Sequence, residues 1–136
     1  MTALGIDFGT VRIGIARQIV GTDVVVPVQT VKPEEFDKRL ADILAEFSIS
    51  DVFVGHPISL SGNESKSGKL VRDWMNEKEK IFPDITWHLI DERLSSAQAS
   101  ESLSQLGLSS KEQRKIIDER SAVIILEHAL AAKRKS

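Results

Sequence analysis

Apolar positions along the chain switch between a two-residue and a roughly 3.6-residue period, and the switches divide it into strands and helices. Ala3-Leu4-Gly5-Ile6-Asp7-Phe8 is a short apolar run bounded by Gly9-Thr10, and Arg12 to Arg17 then alternates small or apolar with polar residues. The two predict a hairpin. After Gly21-Thr22, the β-branched run Val24 to Val28 predicts a third strand, placed at an edge because Pro27 cannot donate to a ladder. Pro33 suits a first helical turn, and Phe36, Leu40, Ile43, Leu44 and Phe47 recur at helical spacing. Asp51 to Gly55 reads as a buried strand, followed by a polar loop from His56 to about Ser65. Leu70, Val71, Trp74 and Met75 mark one face of a second helix, and Ile85 to Ile90 forms a further strand with Trp87 and Leu89 on a common face.

Beyond the last strand the signals are helical. Ser95 with Gln98 forms a capping box, Gly107 offers a C-terminal cap, and Ser109 with Glu112 opens a second helical segment. The final segment, through Val123, Ile124 and Leu130, is expected to start near Asp118, whose carboxylate can serve as its N-cap. Three strands, then helix, strand, helix, strand and helices imply an α/β fold with a mixed five-stranded sheet and helices on both faces. Right-handed crossovers put the fourth strand beside the first, for the order 3-2-1-4-5. Ligands in such sheets gather at the carboxyl strand ends, where Asp7 and Asp91-Glu92 both fall.

Composition narrows the chemistry. The 136 residues suit one domain spanning 1–136. The absence of cysteine removes disulfides, thiol catalysis and thiolate metal sites, so the chemistry rests on oxygen and nitrogen groups. A net charge of -2 leaves no general basic excess for binding a polyanion, so any nucleic-acid surface must be a local patch. No positively charged leader precedes the first strand and Asp7 interrupts its apolar run, so a cytoplasmic protein without membrane contact is expected.

Asp7 ends a strand that otherwise reads as central and apolar, where an uncompensated carboxylate is costly. Its simplest role is to accept N–H bonds in the Gly9-Thr10 turn. Asp91 and Glu92 taken alone read as solvated charge ahead of a helix, and Asp118 as a cap. Together, carboxylates from two strand ends and one helix start can converge on one sheet edge. Such a cluster needs cations to neutralise its repulsion, and an all-oxygen shell favours Mg²⁺ or Mn²⁺. Paired ions of that kind support in-line phosphodiester hydrolysis. His56 lies in the loop after the fourth strand, where it could touch substrate or move protons, although an isolated loop histidine is ordinarily surface decoration. Arg12, Arg93, Lys66 and Lys69 are positioned for phosphate contacts, against the plain alternative of solvated surface charge.

Four motifs, Gly5 to Gly14, Val54-Gly55-His56-Pro57, Asp91-Glu92-Arg93-Leu94-Ser95 and Ser121 to Leu126, resemble in order and spacing the YqgF (RuvX) family of pre-16S rRNA nucleases, also described as Holliday-junction-resolvase-like. The resemblance runs over essentially the whole chain. It implies an RNase H-like fold, a cytoplasmic setting and trimming of the 5′ end of the small-subunit rRNA precursor, with branched DNA as the alternative substrate and a monomer or homodimer as the working state. By position it implies metal ligation by Asp7, Glu92 and Asp118, and it alone ranks Glu92 over Asp91. Gly9, Thr10, Arg12, His56 and Arg93 become candidate substrate contacts. His56 departs from the apolar residue usual before that proline, and Glu119-Arg120 from the small residues usual after the third acid. Two other functions compete: a catalytically silent nucleic-acid-binding protein, and an ATP-binding module, because Gly5 to Thr10 also resembles the phosphate hairpin of actin-like ATPases. Those ATPases use two such domains, and this chain has length for one.

Overall fold

The computed structural model describes residues 2–57, 66–91 and 110–134, with side chains in the last segment described from Arg120 to Ala132. The strands are β1 (Ala3–Phe8), β2 (Ile13–Gln18), β3 (Val25–Val31), β4 (Asp51–His56) and β5 (Thr86–Asp91). A 3₁₀ turn over Pro33–Glu35 leads into α1 (Phe36–Glu46), followed by α2 (Lys66–Ile81) and α3 (Ser110–Arg134). The sheet order is β3-β2-β1-β4-β5, as the crossover argument requires. β1 pairs antiparallel with β2 and parallel with β4, and β4 pairs parallel with β5.

The alternation along β1 separates two cores. Leu4 and Ile6 join Ile13, Ile15, Val52, Val54 and Trp87 on one face, under Phe36, Leu40 and Ile43 of α1 and Val71 and Met75 of α2. Ala3 and Phe53 face the other way and pack with Ile125, Leu126, Ala129 and Leu130 of α3. Gly5 belongs to this second face. A Cβ there would come within 2.5 Å of the Ala122 carbonyl oxygen and 2.7 Å of Leu126 Cβ, so glycine lets α3 lie directly on β1. Ala122 and Leu126 cover Gly5, and α3 packs across β1, β2 and β3.

Several expectations shift. The third strand extends to Val31 instead of stopping at Val28, because a bulge between Ile15 and Ala16 absorbs Val28 and lets pairing resume from Gln29. Pro27 stands beside that bulge on the edge strand. The last helix does not begin near Asp118: Ser110–Arg134 is continuous, placing Asp118 in its interior and removing the N-cap role. No Gly or Pro interrupts those residues, so adding each turn to the helix costs little. Leu70 is 53% exposed, although α2 buries its neighbours Val71 and Met75. The helix expected from Ser95 to Gly107 lies outside the described residues.

At the start of the strands, far from Asp7, polar side chains join the layers. Gln18 accepts the Ala3 N–H at 3.0 Å and donates to the Thr22 carbonyl at 2.8 Å. Asp51 accepts from Ser50 Oγ at 2.6 Å and meets His88 Nε2 at 2.9 Å, while the His88 ring stacks on Phe53 at 4.6 Å. His88 therefore helps to fasten β5 to β4. His128 is exposed on α3.

Candidate nuclease site

Asp7 is half-buried at the carboxyl end of β1. Phe8 after it turns to the α2 face, where its ring lies 4.8 Å from that of Trp74, so the alternation directs Asp7 to the α3 face. The cross-strand neighbours of Asp7 carry no side chains. Gly14 is its partner on β2, and the pairing of Ile6 with Val54 puts Gly55 next in line on β4. The row across the sheet is thus Thr30, Gly14, Asp7, Gly55, Ile90. Asp7 is therefore flanked on both neighbouring strands by backbone alone, both glycines being buried.

Parity also fixes the face of the acid that ends β5. Trp87 and Leu89 belong to the α1/α2 core and Ile90 to the α3 core, which puts Asp91, the last residue of β5, on the face away from Asp7. Glu92 and Arg93 lie outside the described residues. Position 118 lies within α3, one turn before Ala122 and two before Leu126, the two residues that cover Gly5. Among the described residues, no three His, Asp or Glu side chains are grouped to hold a metal ion; the proposed ligand set draws two of its three side chains from outside them.

The other candidates surround the same end of the sheet. Gly9 makes the turn possible: a Cβ there would meet the Arg12 carbonyl oxygen at 2.6 Å. Thr10 is exposed in that turn and Arg12 is half-buried just before β2. His56 ends β4 paired with Asp91, on the α2 face, so the sheet separates it from Asp7. Missed by sequence reasoning was a cavity of about 150 Å³ beside the turn, lined by Phe8, Gly9, Thr10, Pro57, Leu70 and Val71 among others. The only signal for it was Leu70, an apolar residue at the border of the helix's buried stripe. No described helix is long and apolar enough to cross a membrane.

The sheet order, the two helical layers and an acid at the carboxyl end of the first strand define an RNase H-like fold of the resolvase type. Consistent with this, the fold is similar to that of Thermus thermophilus RuvC solved with a Holliday junction substrate, with a TM-score of 0.56 at 17% identity over 99% of this chain and 96% of that one. Fowlpox virus resolvase, solved with Holliday junction DNA, aligns at a TM-score of 0.53 and 10% identity over 96% of this chain and 99% of that one. At the sequence level, the model of the RuvX family, described as Holliday junction resolvase, matches residues 1–132. The chain belongs to that family. Similar relatives include proteins named "Putative pre-16S rRNA nuclease" from Streptomyces coelicolor, 36% identical over 98% of this chain and 81% of the relative, and from Maridesulfovibrio salexigens, 36% identical over 96% and 98%.

Proposed function

We propose that this protein is a divalent-metal-dependent nuclease of the cytoplasm that hydrolyses phosphodiesters in the 16S rRNA precursor, using Asp7, Glu92 and Asp118. The observation that carries the reading is the setting of Asp7: a half-buried carboxylate at a strand end, on the α3 face, between Gly14 and Gly55. Asp91 falls on the face away from Asp7, and Glu92 is taken as the ligand of its motif from the family resemblance. Asp118 lies in the chain four residues before Ala122 and eight before Leu126, the α3 residues that cover Gly5.

The donors are all carboxylate oxygens, which fits Mg²⁺ or Mn²⁺ and not a thiolate-seeking metal. When bound, such ions would supply activation of a water and neutralisation of charge on the leaving oxygen. The chain's own part is to fix Asp7 on a central strand paired on both sides and to seat α3, the helix that includes position 118, on Gly5. Gly14 and Gly55 put no side chain beside Asp7, and Arg12 and the exposed Lys66 and Lys69 supply positive charge for flanking phosphates.

The test is incubation of the purified protein with precursor 16S rRNA and Mn²⁺. Cleavage that disappears in Asp7→Asn supports the reading, and cleavage equal to that of Asp7→Asn contradicts it. A four-way DNA junction belongs in the same assay, because the matching family is described as Holliday junction resolvase. Preferential cutting of the junction would transfer the activity to DNA recombination. RNA binding without cleavage by either form would leave a silent binding protein.

A further inference from the structure

The cavity behind the β1–β2 turn lies on the face of the sheet away from Asp7, and its chemistry is different. Phe8, Pro57, Leu70 and Val71 give it an apolar wall, and Thr10 and Ser67 place hydroxyl-bearing residues at its border. Phe8 is held by its ring contact with Trp74, which itself meets Phe36 at 4.9 Å, so the wall is braced from behind. Leu70 at 53% exposure and Val11, in the adjoining turn, at 74% leave large apolar surface in water that nothing in the described chain covers. A single exposed apolar side chain is ordinary, but two beside a concave apolar surface with polar groups at its edge resemble a ligand site.

We propose that this cavity receives one nucleobase of the strand whose backbone is bound at Asp7. The proposal rests on the nuclease reading and names the substrate contact that the acids cannot provide. At about 150 Å³ the cavity is well below the roughly 300–1,000 Å³ of a pocket that holds a whole small ligand, so it suits one flat fragment of a longer molecule gripped elsewhere. Charge favours nucleic acid over an apolar protein segment as that molecule, because Lys66 and Lys69 are exposed on the same turn of α2 as Leu70 and can meet the flanking phosphates. Phe8 follows Asp7 directly but faces the other side of the sheet. A strand crossing the sheet end can therefore present a phosphate to Asp7 and turn a neighbouring base over the edge into the cavity.

The experiment measures binding without cleavage. Fluorescence anisotropy with a labelled single-stranded oligoribonucleotide compares the Asp7→Asn protein with the same protein carrying Leu70→Ser or Val11→Ser. Both added substitutions replace exposed side chains, and unchanged urea midpoints confirm an intact fold. Leu70→Ser is expected to weaken binding about fivefold to tenfold, the lower end of what one stacked base contributes. In a series of oligonucleotides with a single abasic nucleotide moved along the chain, one position should lose no further affinity on Leu70→Ser. Unchanged affinity in both variants, losses that add at every abasic position, or no oligonucleotide binding at all would overturn the proposal. Cleavage by the unsubstituted protein with Leu70→Ser binding like its parent removes the base pocket alone. Leu70-dependent binding without cleavage removes the catalytic reading alone.

Discussion

Replacing Gly5 with alanine adds one methyl group at the closest approach of α3 to the sheet. The new carbon would stand 2.5 Å from the Ala122 carbonyl oxygen and 2.7 Å from Leu126 Cβ. Ordinary contact needs about 3.5–4.0 Å, so α3 must retreat by roughly 1 Å. Neither blocking atom is the free end of a flexible side chain: one is backbone and the other is attached to it. The strain therefore cannot be relieved by a rotamer change, and the expected cost lies toward the upper end of overpacking, about 2–3 kcal/mol. Equilibrium urea unfolding reads this as a midpoint lowered by about 1–2 M with an unchanged slope. A second consequence follows from what α3 carries. A shift of about 1 Å between Asp118 and Asp7 is expected to reduce cleavage by up to about a hundredfold in protein that is still folded at the assay temperature. A stability loss under about 0.5 kcal/mol would refute the packing argument, since that is the range of substitutions that touch nothing.

Other substitutions probe features remote from the acids. Gly21 has φ +78° with nothing within 4 Å of a Cβ, so Gly21→Ala should cost about 1 kcal/mol in thermal unfolding from backbone strain alone and leave cleavage untouched. Lys78 is buried, its Nζ 2.7 Å from Asp37 Oδ1 and over the rings of Phe36 and Trp74. Asp37 is half-exposed, so solvent screens the pair and Asp37→Ala should cost about 1–2 kcal/mol, whereas Lys78→Met, which keeps the packing and removes the charge, should stay within about 1 kcal/mol by urea unfolding. A greater loss in the methionine variant would contradict this. His88→Ala removes both the link to Asp51 and the stack on Phe53 and should cost about 1–2 kcal/mol, with His88→Phe recovering the stacking part. Both histidine variants should cleave normally, because the His88 ring is tied to Asp51 and Phe53 on β4 and stands two strands from Asp7.

Most of the framework was legible because each strand and helix keeps one period. The crossover rule supplied the strand order, and Pro27 marked the edge. The two-residue period also held more about the acids than motif matching used: Asp7 has the parity opposite to Leu4, Ile6 and Phe8, and Asp91 shares the parity of Trp87 and Leu89. Only the sheet register shows that these parities put Asp91 on the face away from Asp7, while the preference for Glu92 came from the family resemblance. Asp118 was misjudged as a cap because caps are read from short polar residues ahead of apolar ones, and that local signal is present inside an uninterrupted helix. Gly5, Gly14 and Gly55 were illegible for another reason. A glycine that admits a helix or sits across the sheet from a carboxylate looks, in one dimension, like any glycine in a strand.

The central claim concerns where the metal is held, and diffraction from a crystal soaked in Mn²⁺ tests it most directly. At the manganese absorption edge, the account predicts anomalous density at the carboxyl end of β1 within coordination distance of Asp7, Glu92 and Asp118, and its loss in Asp7→Asn. Manganese bound elsewhere at saturating concentration, with none touching Asp7, would contradict it.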